Sequence, residues 1–169
     1  SDADAVEKAF AAVRADLGEV DVLVFNAGSG TWGNIEELSA EDFERSWRIN
    51  ALGCFHTSKQ VIPHMVAQGA GNIVIVGATA SLRGKPFTTA FAPAKAAQRS
   101  LAQAMARHLG PKGVHVSLLI IDGMIDKPSA DAVKTLDPDD IAAAAHYLTQ
   151  QGKSAWTFEL DLRPHLESW

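Results

Sequence analysis

Disulfide scaffolding is excluded from the start, because Cys54 is the only cysteine in the 169-residue chain and one thiol cannot form an internal bridge. A lone cysteine suits a reducing cytoplasm, the expected compartment, and the acidic opening Ser1-Asp2-Ala3-Asp4 is unlike the basic start of a secretory leader. Long apolar runs are missing too. Leu118–Ile121 and Ile141–Ala145 fall far short of the ~20 residues that a membrane span needs. Positive charge is not in excess: the formal net charge is −5 and the pI about 5.6, so no electrostatic footprint for nucleic acid or an anionic membrane is expected. Histidines and cysteine nowhere fall at metal-ligand spacing, so no metal site is expected. Phenols are the scarcest aromatic groups, with Tyr147 the only tyrosine.

What is present is an alternation of helical and strand-like segments. Ser1 is the expected cap of a helix carrying Val6, Phe10, Val13 and Leu17 at helical spacing, stopped by Gly18. Val20–Phe25 follows as a strand. Ser39 and Asp42 resemble a capping box at the head of a long helix through Phe43, Trp47, Leu52 and Phe55, spanning Ala40–Val66. Asn72–Val76 is the next strand. A helix from about Thr89 to Leu109 carries Pro93 in its first turn and ends at Gly110-Pro111. Val114–Ile121 is a strand, Asp137-Pro138 caps a helix reaching Gln150, and Trp156–Leu162 is the last strand. The first three strands are apolar on both faces. That pattern predicts an α/β fold, a doubly wound Rossmann-type parallel sheet with helices on both faces, in a single domain over residues 1–169.

The connections are lopsided. Those entering strands are short, whereas 27–38, 78–88 and 122–136, which leave strands, are long. Parallel sheets bind ligands beyond the carboxyl ends of their strands, so the spare length marks a ligand side. The opening helix has no strand before it, and strand 20–25 would be a bare edge unless something preceded it; a strand-bearing N-terminal portion is therefore expected to be absent from the sequence. Gly28-Ser29-Gly30-Thr31-Trp32-Gly33 matches G-x-G-x-x-G, but the next helix opens only at Ser39, so no helix N-terminus meets a pyrophosphate at these glycines and the match is expected to be accidental.

Taken together, Asn26-Ala27-Gly28, Asn50 in the long helix, strand Asn72–Val76 and Lys95 early in the next helix resemble the short-chain dehydrogenase/reductase family over nearly the whole chain. The resemblance implies a cofactor, NAD or NADP, and a small alcohol or carbonyl substrate. It places Asn26, Ala27 and Gly28 at the cofactor's adenosine side, and Val76, Asp122, Gly123 and Ile125 also beside the cofactor. It gives Asn50 the family asparagine that orders a water near the active lysine. Lys95 matches that lysine, which bonds the nicotinamide ribose and lowers the pKa of a phenol. The resemblance further implies a homodimer or homotetramer built on helices Ala40–Val66 and Pro93–Leu109.

The departures concern proton delivery. The family's tyrosine, one helical turn before the lysine, is Phe91 here. Its serine falls on Ala78, with the hydroxyls of Thr79 and Ser81 nearby. Its Pro-Gly is Asp122-Gly123, and its cofactor-amide threonine aligns with Lys127. The histidines, His56, His64, His108, His115, His146 and His165, are expected at the surface or an interface. Two readings remain open: an atypical oxidoreductase in which Lys95 and a water replace the phenol, or a cofactor-binding pseudoenzyme that acts as a sensor or partner protein. The segment Arg163–Trp169 is expected to reach a neighbouring subunit or cover the pocket.

Overall fold

The computed structural model describes residues 2–126 and 135–167. The expectations for Ser1, Lys127, Ser168 and Trp169 lie outside the described residues. Helix α1 (Ala3–Leu17) is capped by Asp2, whose carboxylate accepts the amide of Ala5. Strand β1 (Val22–Phe25) leads through a long loop to α2 (Ala40–Trp47), a π-helical turn (Arg48–Leu52) and α3 (Gly53–Gln68). Strand β2 (Asn72–Ala78), α4 (Phe91–Leu109) and β3 (His115–Ile121) follow. A short parallel pair, β4 (Met124–Ile125) with β5 (Thr135–Leu136), precedes α5 (Pro138–Thr149) and β6 (Glu159–Leu162).

The main sheet is parallel throughout, in the order β1-β2-β3-β6. Its faces follow from the two-residue period of extended chain. Along β3, Val116, Leu118 and Ile120 enter a core with Ile73, Ile75, Val61, Met65 and Leu109 beneath α3 and α4. The alternate residues Leu119 and Ile121 join Val74, Leu136 and Leu148 beneath α5. Each large aliphatic side chain so buried contributes about 1.5–3 kcal/mol. The doubly wound parallel α/β architecture is therefore as the alternation of elements predicts.

Three local readings are corrected. The long helix runs on from Ala40 to Gln68 as expected but widens into a π-helical turn at Arg48–Leu52. Strand β1 is covered on one face only: Leu23 and Phe25 pack into the core, while Val22 and Val24 are 44% and 47% exposed. His115 is buried, not superficial. Its ring stacks on Trp156 at 4.8 Å with planes 4° apart, and its Nε2 pairs with the carbonyl of Thr157 at 2.9 Å. Among the described residues no helix is long and apolar enough to cross a membrane, and no group of three or more His, Cys, Asp or Glu is placed to hold a metal ion.

Candidate active site

The site forms where β1, β2 and β3 end. Ser39 caps α2 by accepting the amide of Asp42 at 3.1 Å, and the helix then widens so that the amide of Gly53 reaches the carbonyl of Arg48, five residues back. Asn50 lies in this widened turn, fully buried. Its Nδ2 donates to the carbonyl of Ser29 at 2.8 Å and to that of Ser46 at 2.9 Å. Because both neighbours are acceptors, the amide nitrogen must face them. That leaves Oδ1 buried without a partner. A buried orphan acceptor of this kind calls for a water or a ligand hydroxyl.

Lys95 projects from the second turn of α4 towards the end of β2. Its Nζ donates to the carbonyl of Val76 and to Oε1 of Gln98, each at 3.0 Å. The residue is 6% exposed. Burial pulls its ammonium down to about 8, with an opposing upward pull from Cys54. Burial likewise pushes the Cys54 thiol up to about 11, against a hydrogen bond from Ser58 and the charge of Lys95. At Gly28 the backbone passes close to both groups: a Cβ there would lie 3.4 Å from Asn50 Oδ1 and 3.7 Å from Lys95 Nζ. A glycine keeps open the space in front of the lysine.

The two shifts have opposite consequences for stability. An unfolded lysine still binds its proton between about pH 8 and its ordinary value of 10.5, where Lys95 in the folded chain has lost it, so stability rises with pH across that window. Folded Cys54 keeps its proton from the ordinary value of 9.0 up to about 11, so its contribution falls over that range. The expected result for cofactor-free protein is a rise between about pH 8 and 9 and a flat profile from there to 10.5, where the lysine contribution is complete. In Cys54→Ala the rise should continue beyond pH 9. Urea unfolding of the two proteins across this range checks the difference, and parallel curves would contradict it.

A cavity of about 440 Å³ opens in front of these groups. Of the residues singled out in the sequence, Asn26, Gly28, Val76 and Ala78 line it. Phe91, Lys95, Gly123 and Ile125 complete that set. Ala27, Asn50 and Asp122 are not among its lining residues. Asn50 stands behind Gly28, and Asp122 turns aside: its carboxylate accepts the hydroxyl of Thr79 at 3.0 Å and pairs with Arg163 at 3.3 Å and Arg83 at 3.6 Å. The Thr79 hydroxyl proton is thus committed to Asp122, although Thr79 lines the cavity. Ser81 Oγ is buried without a partner and is not among the lining residues of this cavity. Asn26, Val76 and Ile125 also border a second cavity of about 590 Å³ that extends along Val22, Val24 and α5.

Phe91 sits where α4 begins, its ring centroid 5.8 Å from Lys95 Nζ and 5.1 Å from the ring of Trp32. The glycines from 28 to 33 cradle no helix N-terminus, since α2 starts only at Ala40, as the sequence spacing predicts. Several participants escaped the sequence reading. Gln98 holds Lys95, Trp32 packs against both Phe91 and Phe87, and Arg83 and Lys85 supply charge. A lysine followed three residues later by glutamine on an alanine-rich helix was the one signal available for Gln98.

Comparison with known proteins gives a consistent picture. A family model described as short chain dehydrogenase matches residues 1–137. An uncharacterized oxidoreductase of Staphylococcus saprophyticus is 34% identical over 153 residues, 88% of this chain and 65% of that protein. The chain thus spans less than two thirds of that curated relative. A short-chain dehydrogenase from Rhodopseudomonas palustris superposes with a TM-score of 0.85 at 37% identity, covering 97% of this chain and 71% of that one. An alcohol dehydrogenase from Thermococcus sibiricus, complexed with 5-hydroxy-NADP, superposes with a TM-score of 0.88 at 29% identity, covering 99% and 72%.

Proposed function

The chain belongs to the short-chain dehydrogenase family, and from that premise we propose that it is an oxidoreductase that binds NAD or NADP and interconverts a small alcohol and its carbonyl, with Lys95 as the source of the proton. The observation that carries this reading is the pairing of Lys95 with Asn50 around Gly28, kept intact where Phe91 removes the phenol. The residues fit a nicotinamide dinucleotide. The unpartnered Oδ1 of Asn50, the open space at Gly28 and an ammonium with proton-donating capacity left after Val76 and Gln98 are satisfied all suit a hydroxyl-rich ligand. Asn26, Gly28, Val76, Lys95, Gly123 and Ile125 would hold it, and Ala27 and Asp122 would support their backbone. When bound, the cofactor supplies or accepts hydride.

This chain's own residues then manage the other half of the reaction. When hydride adds to a carbonyl carbon, the oxygen is left as an alkoxide that needs a proton, and general acids work best with a pKa near the operating pH. An ordinary lysine holds its proton too tightly for this role, whereas Lys95, drawn down to about 8 by burial, is within reach of it. Two of its three ammonium protons are directed at Val76 and Gln98, which leaves one for the cavity, given directly or through a water. Phe91 contributes no proton. Its ring lies near the ammonium and walls off one side. The same helices, α2, α3 and α4, would form a homodimer or homotetramer, for which the half-exposed Phe43, Trp47 and Phe55 supply apolar surface. The protein would work in the cytoplasm.

The test is the pH dependence of NAD(P)H-driven reduction of a panel of small carbonyls. The rate is expected to fall as pH rises through about 8, where Lys95 loses its proton. In Phe91→Tyr with Ala78→Ser a phenol takes over, so the profile should move and the rate should rise; an unchanged profile in that variant would count against Lys95 as the donor. A second reading, a cofactor-binding pseudoenzyme, is favoured by the simultaneous loss of phenol and hydroxyl at Phe91 and Ala78. It predicts an inert parent and activity only in the double variant.

A further inference from the structure

The mouth of the cavity in front of Lys95 carries aromatic surface and positive charge that the proton chemistry does not use. Trp32 packs against both Phe91 and Phe87, its ring 5.1 Å from the first and 5.9 Å from the second, with planes inclined by 47° and 40°. They come from separate loops, and the amide of Gly33 bonds the carbonyl of Phe87 at 2.9 Å, fastening the loops together. Even so, Trp32 is 58% and Phe87 51% exposed. Exposed aromatic faces held in place around a cavity mark a binding surface.

The charge is equally one-sided. Arg83, Lys85 and Lys95 line the cavity, and among the described residues no Asp or Glu does, in a chain whose net charge is −5. Lys85 is set by its backbone: its amide donates to Thr88 Oγ1 at 2.8 Å, and its carbonyl accepts from the amide and the hydroxyl of Thr88, each at 2.9 Å. Among the described residues no carboxylate forms an ion pair with Lys85. Arg83 reaches Asp122 only at 3.6 Å and shares it with Arg163 and Thr79, so its charge is partly compensated.

We propose that this mouth selects a flat carboxylate: an aromatic or conjugated ring system lies against Trp32, Phe87 and Phe91, and its carboxylate is drawn to Lys85 and Arg83. The proposal names the substrate class of the site described above and rests on that functional reading. Offset or edge-on packing against three fixed rings rewards a flat ligand over a puckered one. A carboxylate near two incompletely neutralised cations gains charge-assisted hydrogen bonds that an alcohol of the same shape cannot match.

The experiment is calorimetric titration of the purified protein with 2-naphthoate, 2-naphthalenemethanol and cyclohexanecarboxylate, each at saturating NADP+ and again at saturating NAD+. The naphthoate is expected to bind at least about tenfold more tightly than either comparison compound. Lys85→Glu should erase its advantage over the alcohol, and Trp32→Ala should weaken both naphthyl ligands. Equal affinity for acid and alcohol would overturn the proposal alone, as would displacement of naphthoate by the cofactor, which would assign the anion to the cofactor's own place. A protein that bound neither NADP+ nor NAD+ would overturn the functional reading and this proposal together.

Discussion

Turnover is expected to fall by about 10²–10⁴-fold when Lys95 is replaced by Met, the range that a general acid contributes. Methionine keeps the length and apolar stem of lysine and removes the ammonium that contacts Val76 and Gln98. The fold should tolerate the change. Losing the donor costs about 1–3 kcal/mol for each acceptor left unsatisfied, and removing a charge that burial already disfavours offsets part of that. A lower kcat with KM little altered would identify proton delivery as the lost contribution, and a rise in KM would reveal a part in holding substrate. Turnover equal to that of the parent would refute the role given to Lys95.

The largest effect on stability is expected at Gly113. This residue closes the turn between α4 and β3 with φ +84°, a left-handed conformation that side chains resist, and a methyl there would overlap the carbonyl of Gly69 at the end of α3. Left-handed backbone costs about 1–2 kcal/mol for a residue with a Cβ, and forcing a group into filled space adds about 1–3 kcal/mol. Gly113→Ala should therefore lose about 3 kcal/mol, a fall in Tm of roughly 6–12 °C for a chain of this size. Gly152→Ala is the control, since a Cβ there meets nothing within 4 Å; its Tm should stay close to that of the parent. Similar melting of the two variants would show that the Gly69–Gly113 approach relaxes freely.

Much of this architecture is legible in the sequence. Apolar runs alternating with helical periods specify the parallel sheet, and long connections at the strand ends mark the ligand side. Lys95, Phe91 and Ala78 stand out because the family resemblance marks their positions, and all three line the cavity. What escaped depends on contacts distant in sequence. Nothing in Arg48-Ile49-Asn50-Ala51-Leu52 announces a widened turn; it accompanies the two carbonyls, Ser29 and Ser46, that Asn50 serves. Trp32 and Phe87 form one wall only because Gly33 meets Phe87 across two loops. His115, polar and next to a turn, looked superficial, yet Trp156 covers it from a segment some forty residues further on. Asp122 looked like part of a cofactor loop, but Thr79, Arg83 and Arg163 draw its carboxylate aside.

All of these assignments depend on Lys95, Asn50 and Gly28 remaining a nicotinamide-dinucleotide site although Phe91 has replaced the phenol beside them. The most direct measurement is a fluorescence titration of the purified protein with NADH and with NADPH. Saturable binding of at least one of them is expected, at concentrations between about 1 μM and 1 mM, the range over which enzymes commonly meet their substrates. Lys95→Met should weaken that binding. No saturation by either nucleotide up to the top of that range would contradict the account.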